Sequence, residues 1–259
     1  MNLSLDGKTF VVMGVANKRS IAWGIARSLH EAGANLIFTY AGERLEGNVR
    51  KLVSTLEGDH SLVLPCDVTD DQDIENCFSK IKAEVGKIDG IAHCIAFANK
   101  EELSGEYLNV TRNGFLLAQN ISAYSLTAVA KVVKKLDLMS EGGSIVTMTY
   151  LGGERVIPNY NVMGVAKASL DASVKYLAND LGQDGIRVNS ISAGPIRTLS
   201  ARGISDFNAV LKEIEEKAPL RKLTTQEEVG DTAVFLFSPL SRGITGENIH
   251  VDSGYHILG

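Results

Sequence analysis

Three cysteines, Cys66, Cys77 and Cys94, are an odd number without C-x-x-C spacing, so the chain has neither a disulfide framework nor a cysteine-type zinc site. The histidines, at 30, 60, 93, 250 and 256, show no H-E-x-x-H or similar spacing, and no metal is expected. No apolar run reaches the ~20 residues that a membrane span needs. The opening Met1-Asn-Leu-Ser-Leu-Asp-Gly-Lys8 lacks a signal-peptide pattern, and a reduced, cytoplasmic location is the expectation. Positive charge is not in excess: 26 Lys and Arg stand against 31 Asp and Glu, a net charge of -5. That balance disfavours nucleic acid as a partner, and Lys131, Lys134 and Lys135 read as a solvated helix face. Internal repeats and low-complexity linkers are missing too, so nothing marks a domain boundary.

What is present is the composition of an ordinary globular protein, 44% hydrophobic and 22% charged. Short apolar runs alternate with stretches of helical spacing. Strands are expected at 9–14, 35–40, 61–65, 90–94 and 144–149, then at 187–191 and 248–251. Helices are expected at 21–32, 43–56, 70–85, 116–138 and 159–181, with a last one running from the capping box Thr225-Gln-Glu-Glu228 to Phe237. Strands alternating with helices imply right-handed crossovers and an α/β fold. The expected architecture is a single-domain, Rossmann-like doubly wound parallel sheet of about seven strands with helices on both faces.

Ligands of such sheets gather beyond the carboxyl ends of the strands, where strand order reverses. The first strand ends at Gly14, and the turn that follows is Gly14-Val-Ala16-Asn-Lys-Arg19-Ser20-Ile21. It fails a strict G-x-G-x-x-G, since Ala16 and Arg19 stand where the second and third glycines would be. Small residues at 14 and 16 still let backbone approach a pyrophosphate, and Ser20 is placed to cap a helix whose N-terminal amides favour an anion. An ordinary strand-to-helix turn is the plain alternative. Strand 2 ends in Tyr40-Ala41-Gly42-Glu43-Arg44, without an acid at its tip to hold a ribose hydroxyl. Ala41 offers a 2′-phosphate no charge, Glu43 repels one and Arg44 attracts one, a balance that favours NADH/NAD over NADPH.

The most informative side chains are Tyr150, Tyr160 and Lys167. A helix through 159–167 puts Tyr160 and Lys167 two turns apart on nearly one face. The more familiar reductase spacing, Tyr-x-x-x-Lys, would need a tyrosine where Met163 stands. Taken singly, each of the three reads as structural, as an amphipathic aromatic or a solvated lysine. Their joint order, Tyr-x9-Tyr-x6-Lys, together with the first turn and Ser192-Ala-Gly-Pro-Ile-Arg-Thr-Leu199, resembles the enoyl-acyl-carrier-protein reductases of bacterial fatty-acid synthesis, an atypical branch of the short-chain dehydrogenases. The likeness covers essentially the whole chain.

The resemblance implies reduction of trans-2-enoyl thioesters by NADH. Catalysis falls to Tyr150, Tyr160 and Lys167, with Tyr160 donating to the developing enolate and Lys167 holding the nicotinamide ribose. It also implies dinucleotide contacts from Gly14, Ser20, Ile21, Asp67, Val68, Ile95, Lys167, Ile196 and Thr198, although an Asp before Val-Thr-Asp is by itself commonly a turn residue. Substrate would meet Ala98, Tyr150, Tyr160, Met163, Ile204 and Phe207, with Leu103 and Pro195 as further apolar walls. Residues 197–223 would form a lid, acyl carrier protein would be the partner, and the assembly would be a homotetramer packed through the long helices after strands 4 and 5. Two other readings fit parts of the pattern: a carbonyl reductase with Ser-Tyr-x-x-x-Lys, against which Met163 stands, and a dinucleotide sensor without turnover, against which the three polar side chains stand.

Overall fold

Runs of β-branched and aromatic residues build a seven-stranded parallel sheet in the computed structural model, which describes residues 3–58, 62–198 and 207–258. The strands are β1 (Thr9–Met13), β2 (Asn35–Tyr40), β3 (Val63–Pro65), β4 (Ile88–His93), β5 (Met139–Thr149), β6 (Arg187–Ala193) and β7 (Asn248–Val251), in the spatial order β3-β2-β1-β4-β5-β6-β7. Strand order reverses between β1 and β4, which pair in register with Phe10 opposite Gly90 and Met13 opposite His93. Such a switch point leaves a crevice at the carboxyl ends of the two strands.

Helices cover both faces. Those on one side are α1 (Ile21–Glu31), α2 (Glu43–Val53) and α8 (Gln226–Phe237), which bury Trp23, Ile25, Leu29, Val49 and Val229 against Phe10, Val12 and Phe38. Those on the other are α3 (Asp71–Val85), α5 (Ser125–Lys135) and α6 (Asn161–Gly182), which bury Phe78, Leu126 and Leu170 against Val11, Ile91 and Ile145. With both faces covered, the central strands are apolar throughout rather than alternating. The expected capping box forms in both directions: the Thr225 hydroxyl accepts from Glu228 N–H and the Glu228 carboxylate accepts from Thr225 N–H.

The packing of α1 on α8 is close because small residues permit it. A Cβ at Gly24 would run into Gln226, and one at Gly230 into Ser28. Gln226 also donates to the Ser20 carbonyl at 2.5 Å, and Arg27 pairs with Glu227. The last long helix is thereby fastened to the first.

Several boundaries differ from expectation. The helix expected at 116–138 starts at Arg112 as α4 (Arg112–Gln119), widens into a π turn at Asn120–Tyr124 and continues as α5. The Thr111 hydroxyl caps it by accepting from Gly114 N–H, a signal that the apolar periodicity did not reveal. Strand β5 begins at Met139, so Gly142 and Gly143 lie within it rather than before it. The strand expected from 61 begins at Val63, and the helix expected to reach 56 ends at Val53. Residues 194–223 carry α7 (Phe207–Lys217).

Candidate active site

The carboxyl ends of β1, β4, β5 and β6 open into one cleft of ≈ 430 Å³. Most of the expected residues meet there: Gly14, Ser20 and Ile21 after β1, Ile95 and Ala98 after β4, Tyr150 after β5, Tyr160, Met163 and Lys167 from α6, and Pro195, Ile196 and Thr198 after β6. Leu103 lines it as well. Ile204 lies outside the described residues, as does the side chain of Phe207, the first residue of α7.

At the β1 end the site is built from small size and backbone. Gly14 has φ +91°, which glycine alone tolerates easily, and a Cβ there would overlap the Cys94 carbonyl. The Ser20 side chain departs from expectation. It stands at the N-cap position of α1, yet its hydroxyl donates to the Asn17 carbonyl at 2.7 Å and makes no cap bond. Trp23 N–H bonds the Ser20 carbonyl at 3.0 Å, so among the first-turn amides of α1 those of Ile21 and Ala22 are left to a ligand, and the positive end of the helix faces the cleft. Backbone that can approach closely and an uncapped helix N-terminus fit a pyrophosphate.

Asp67 and Val68 follow β3 on the same rim but do not line the cleft. The Asp67 carboxylate accepts from Thr69 N–H at 2.9 Å and from the Thr69 hydroxyl at 2.7 Å, which is the turn role open to it from sequence. Val68 is buried in the core. At the tip of β2, Arg50 is held by Glu46 at 2.7 Å and by the Val63 carbonyl at 3.2 Å. Exposed Glu43 and Arg44 are the charges that remain nearest the strand end.

At the β5–α6 end the site is made of side chains. Tyr160 is the N-cap residue of α6, with φ -111° and ψ -26°, so the expected two-turn helical spacing to Lys167 begins one residue before the helix proper. The Tyr150 and Tyr160 rings meet edge to face, with centroids 4.9 Å apart. Glycines make this contact: a Cβ at Gly152 would strike the Tyr160 ring and crowd that of Tyr150, and one at Gly164, inside α6, would lie 2.7 Å from the Gly152 carbonyl. A helix-interior glycine costs about 1 kcal/mol relative to alanine. Gly164 is therefore a sign of close approach that is legible in the sequence.

Lys167 is 5% exposed, and its ammonium donates to the Met148 carbonyl at 2.7 Å. Burial lowers its pKa to about 8, opposed by the negative charge of Asp171 one turn further along α6. Burial raises the Tyr150 phenol to about 12 and holds Tyr160 well above the ordinary tyrosine value, so both are neutral donors at pH 7. Other wall residues went unnamed in the sequence: Ala96, Phe97, Ile157 and Pro158. The rim rule for strands β4 and β5 would have found the first pair, since they follow directly on β4. Among the described residues, no His, Cys, Asp or Glu cluster is arranged to hold a metal ion.

A nucleotide-binding crevice at the switch point, facing two neutral phenols and a buried ammonium, defines a dinucleotide-dependent oxidoreductase. The family model described as enoyl-(acyl carrier protein) reductase matches residues 14–256. The enoyl-[acyl-carrier-protein] reductase [NADH] of Bacillus cereus is 76% identical over 255 residues, 98% of this chain and 99% of that protein. The corresponding [NADPH] enzyme of Staphylococcus aureus is 59% identical over 99% of both chains. A crystal structure of the Bacillus cereus enzyme with NADP+ and an indole naphthyridinone superposes with a TM-score of 0.97, covering 100% of both chains at 76% identity. The chain belongs to the enoyl-acyl-carrier-protein reductase family.

Proposed function

We propose that this cleft reduces the trans-2 double bond of enoyl thioesters carried on acyl carrier protein, with NADH as the preferred cofactor. The observation that carries the reading is the pair of phenols in edge contact beside a buried lysine, at the mouth of the β1–β4 crevice. When bound, the nicotinamide supplies hydride to the β-carbon of the substrate. Negative charge then grows on the thioester oxygen, and Tyr160, neutral and half-buried, is the donor aimed at it. Lys167, anchored on the Met148 carbonyl, holds the ribose hydroxyls and adds positive potential beside the enolate. Tyr150 orients the thioester carbonyl. Gly14, Ser20 and Ile21 seat the pyrophosphate, Ile95, Ile196 and Thr198 the nicotinamide side, and Asp67 and Val68 the adenine. Ala98 and Met163 line the acyl path.

NADH is favoured because the Arg50 guanidinium is already engaged by Glu46 and the Val63 carbonyl, while Glu43 repels a 2′-phosphate. Residues 197–223, of which 199–206 lie outside the described part, serve as a lid that excludes water. The groove over α4, α5 and α6, lined by Leu116, Leu117, Ala123 and Tyr124, is the packing face of a homotetramer. Exposed Leu116 and Tyr124 support that use. Among the described residues no helix is long and apolar enough to cross a membrane, in keeping with work in the cytoplasm. Consumption of NADH with crotonyl thioester, and none with acetoacetyl thioester, is the expected result. The reverse preference would make the chain a carbonyl reductase, and no turnover with either would make it a binding protein.

A further inference from the structure

The wall of the cleft after β4 has little to hold it. The last ladder contact of that strand is Cys94 N–H to the Met13 carbonyl at 3.3 Å, and beyond it the chain leaves the sheet. Residues 95–98 line the cleft. Among the described residues, the hydrogen bonds to their backbone are two, and both come from one hydroxyl: Ser122 accepts from Phe97 N–H at 2.9 Å and donates to the Phe97 carbonyl at 3.0 Å.

Ser122 lies in the π turn Asn120–Tyr124, fully buried and outside the cleft. A π turn is rare, and it is often found where a helix serves a site. This one is fastened to the sheet. The Ser125 hydroxyl donates to the Ile121 carbonyl at 2.6 Å, which leaves its oxygen free to accept from His93 Nε2–H at 2.9 Å. His93 Nδ1 then faces the Thr147 hydroxyl at 3.0 Å. His93, Ser125 and Thr147 are all fully buried, and Thr147 immediately precedes Met148, whose carbonyl holds Lys167. The π turn is therefore tied to β4 and β5 on one side and reaches the cleft wall on the other.

We infer that Ser122 is a positioning residue for the reaction: by clamping the Phe97 backbone it sets the Ile95–Ala98 wall against Tyr160 and Lys167, and so sets how tightly the enoyl thioester is held. The inference rests on the enoyl reductase reading of the cleft. Ser122 touches no substrate and acts through Phe97.

The test compares Ser122→Ala with Ser125→Ala in the full-length enzyme, using crotonyl thioester and NADH. Ser125→Ala breaks the tie to the sheet and leaves the clamp, so it reports a purely structural loss. For Ser122→Ala the expected result is a KM raised about tenfold with kcat within about threefold of the parent. Hydrogen exchange at the Phe97 amide of the cofactor-free protein should speed up by about tenfold or more. Ser125→Ala should lower the melting temperature and keep KM within about twofold. Parental KM and parental Phe97 exchange in Ser122→Ala would overturn the clamp, and so would an equal rise in KM in both variants. Should Ser122→Ala not fold, Ser122→Cys, which weakens the two bonds at similar volume, replaces it with the same expected split. A parent enzyme without enoyl turnover defeats the reading of the cleft instead; the Phe97 exchange rate still judges the clamp.

Discussion

The two ends of the cleft are made of opposite materials. Around β1 and α1 the site works by what is missing: no Cβ at Gly14, no side-chain cap on α1, no charge at Ala41. Around β5 and α6 it works by what is buried: two phenols raised above their ordinary pKa and a lysine lowered below its own. The first end can seat a polyanion through backbone dipoles, whose strength does not vary with pH. In the proposed reaction the second holds the groups whose protonation sets the rate. Binding and chemistry are thus separable by mutation.

The largest effect should come from filling the space at the first end. Gly14→Ala combines a positive φ with overlap on the Cys94 carbonyl, and NADH affinity should fall by about a hundredfold or more, with a lower melting temperature. Fluorescence titration and thermal melting check this, and parental affinity would mean that the turn relaxes freely. Tyr160→Phe attacks the other end. It removes one donor worth about 3 kcal/mol, so kcat should drop roughly a hundredfold while the Kd for NADH stays nearly unchanged. Loss of cofactor affinity in this variant would erase the contrast between the two ends.

Lys167 sharpens the comparison through pH. Its folded pKa of about 8 lies below the ordinary lysine value of 10.5, so burial disfavours the charged form; that charge is present below pH 8 and is lost as pH rises through 8. The kcat/KM for enoyl thioester should therefore fall by about tenfold per pH unit above that point. Tyr160, raised well above the ordinary phenol value, is not the group that titrates there. For folding the sign is opposite: the unfolded lysine binds its proton more tightly, so stability from this group rises between pH 8 and 10.5 as activity declines. A rate profile flat to pH 10 would remove the lysine charge from the mechanism. The smallest effect concerns the nucleotide. NADH should exceed NADPH by about tenfold in kcat/KM, the scale of one close repulsion from Glu43. A clear preference for NADPH would mean that Arg44 captures the 2′-phosphate.

Much of the frame was legible because burial on both faces leaves each central strand a continuous apolar run, and because Thr225 and Glu228 announce a helix start by their side chains. The three polar residues of the reacting end were legible by spacing and likeness. The misses share a cause. Ser20 capping, the position of Tyr160 in its helix, and the π turn are decided by side-chain orientation and hydrogen bonds that local pattern does not rank: the Ser20 hydroxyl turns to the Asn17 carbonyl and meets no helix amide. Asp67 shows how one carboxylate serves a turn and stays open to a ligand: Oδ1 takes both bonds from Thr69, a division that the sequence does not display. Gly152 matters through a ring brought from the far side of the turn, a contact that strand and helix periodicity do not encode.

The fastening of α8 onto α1 also bears on how the molecule is made. Ser20 and Gly24 leave the ribosome some two hundred residues before Gln226 and Gly230, the partners against which they close. Until then α1 has no cover on that side, and the nucleotide-seating turn it begins is without its outer support. The first-synthesised turn of the cleft is braced by the last long helix, so the growing chain supports that turn late, as a product of whole-chain folding with its long-range parallel pairings. A chain halted before residue 225 would contain every residue of the cofactor turn and lack the helix that braces it.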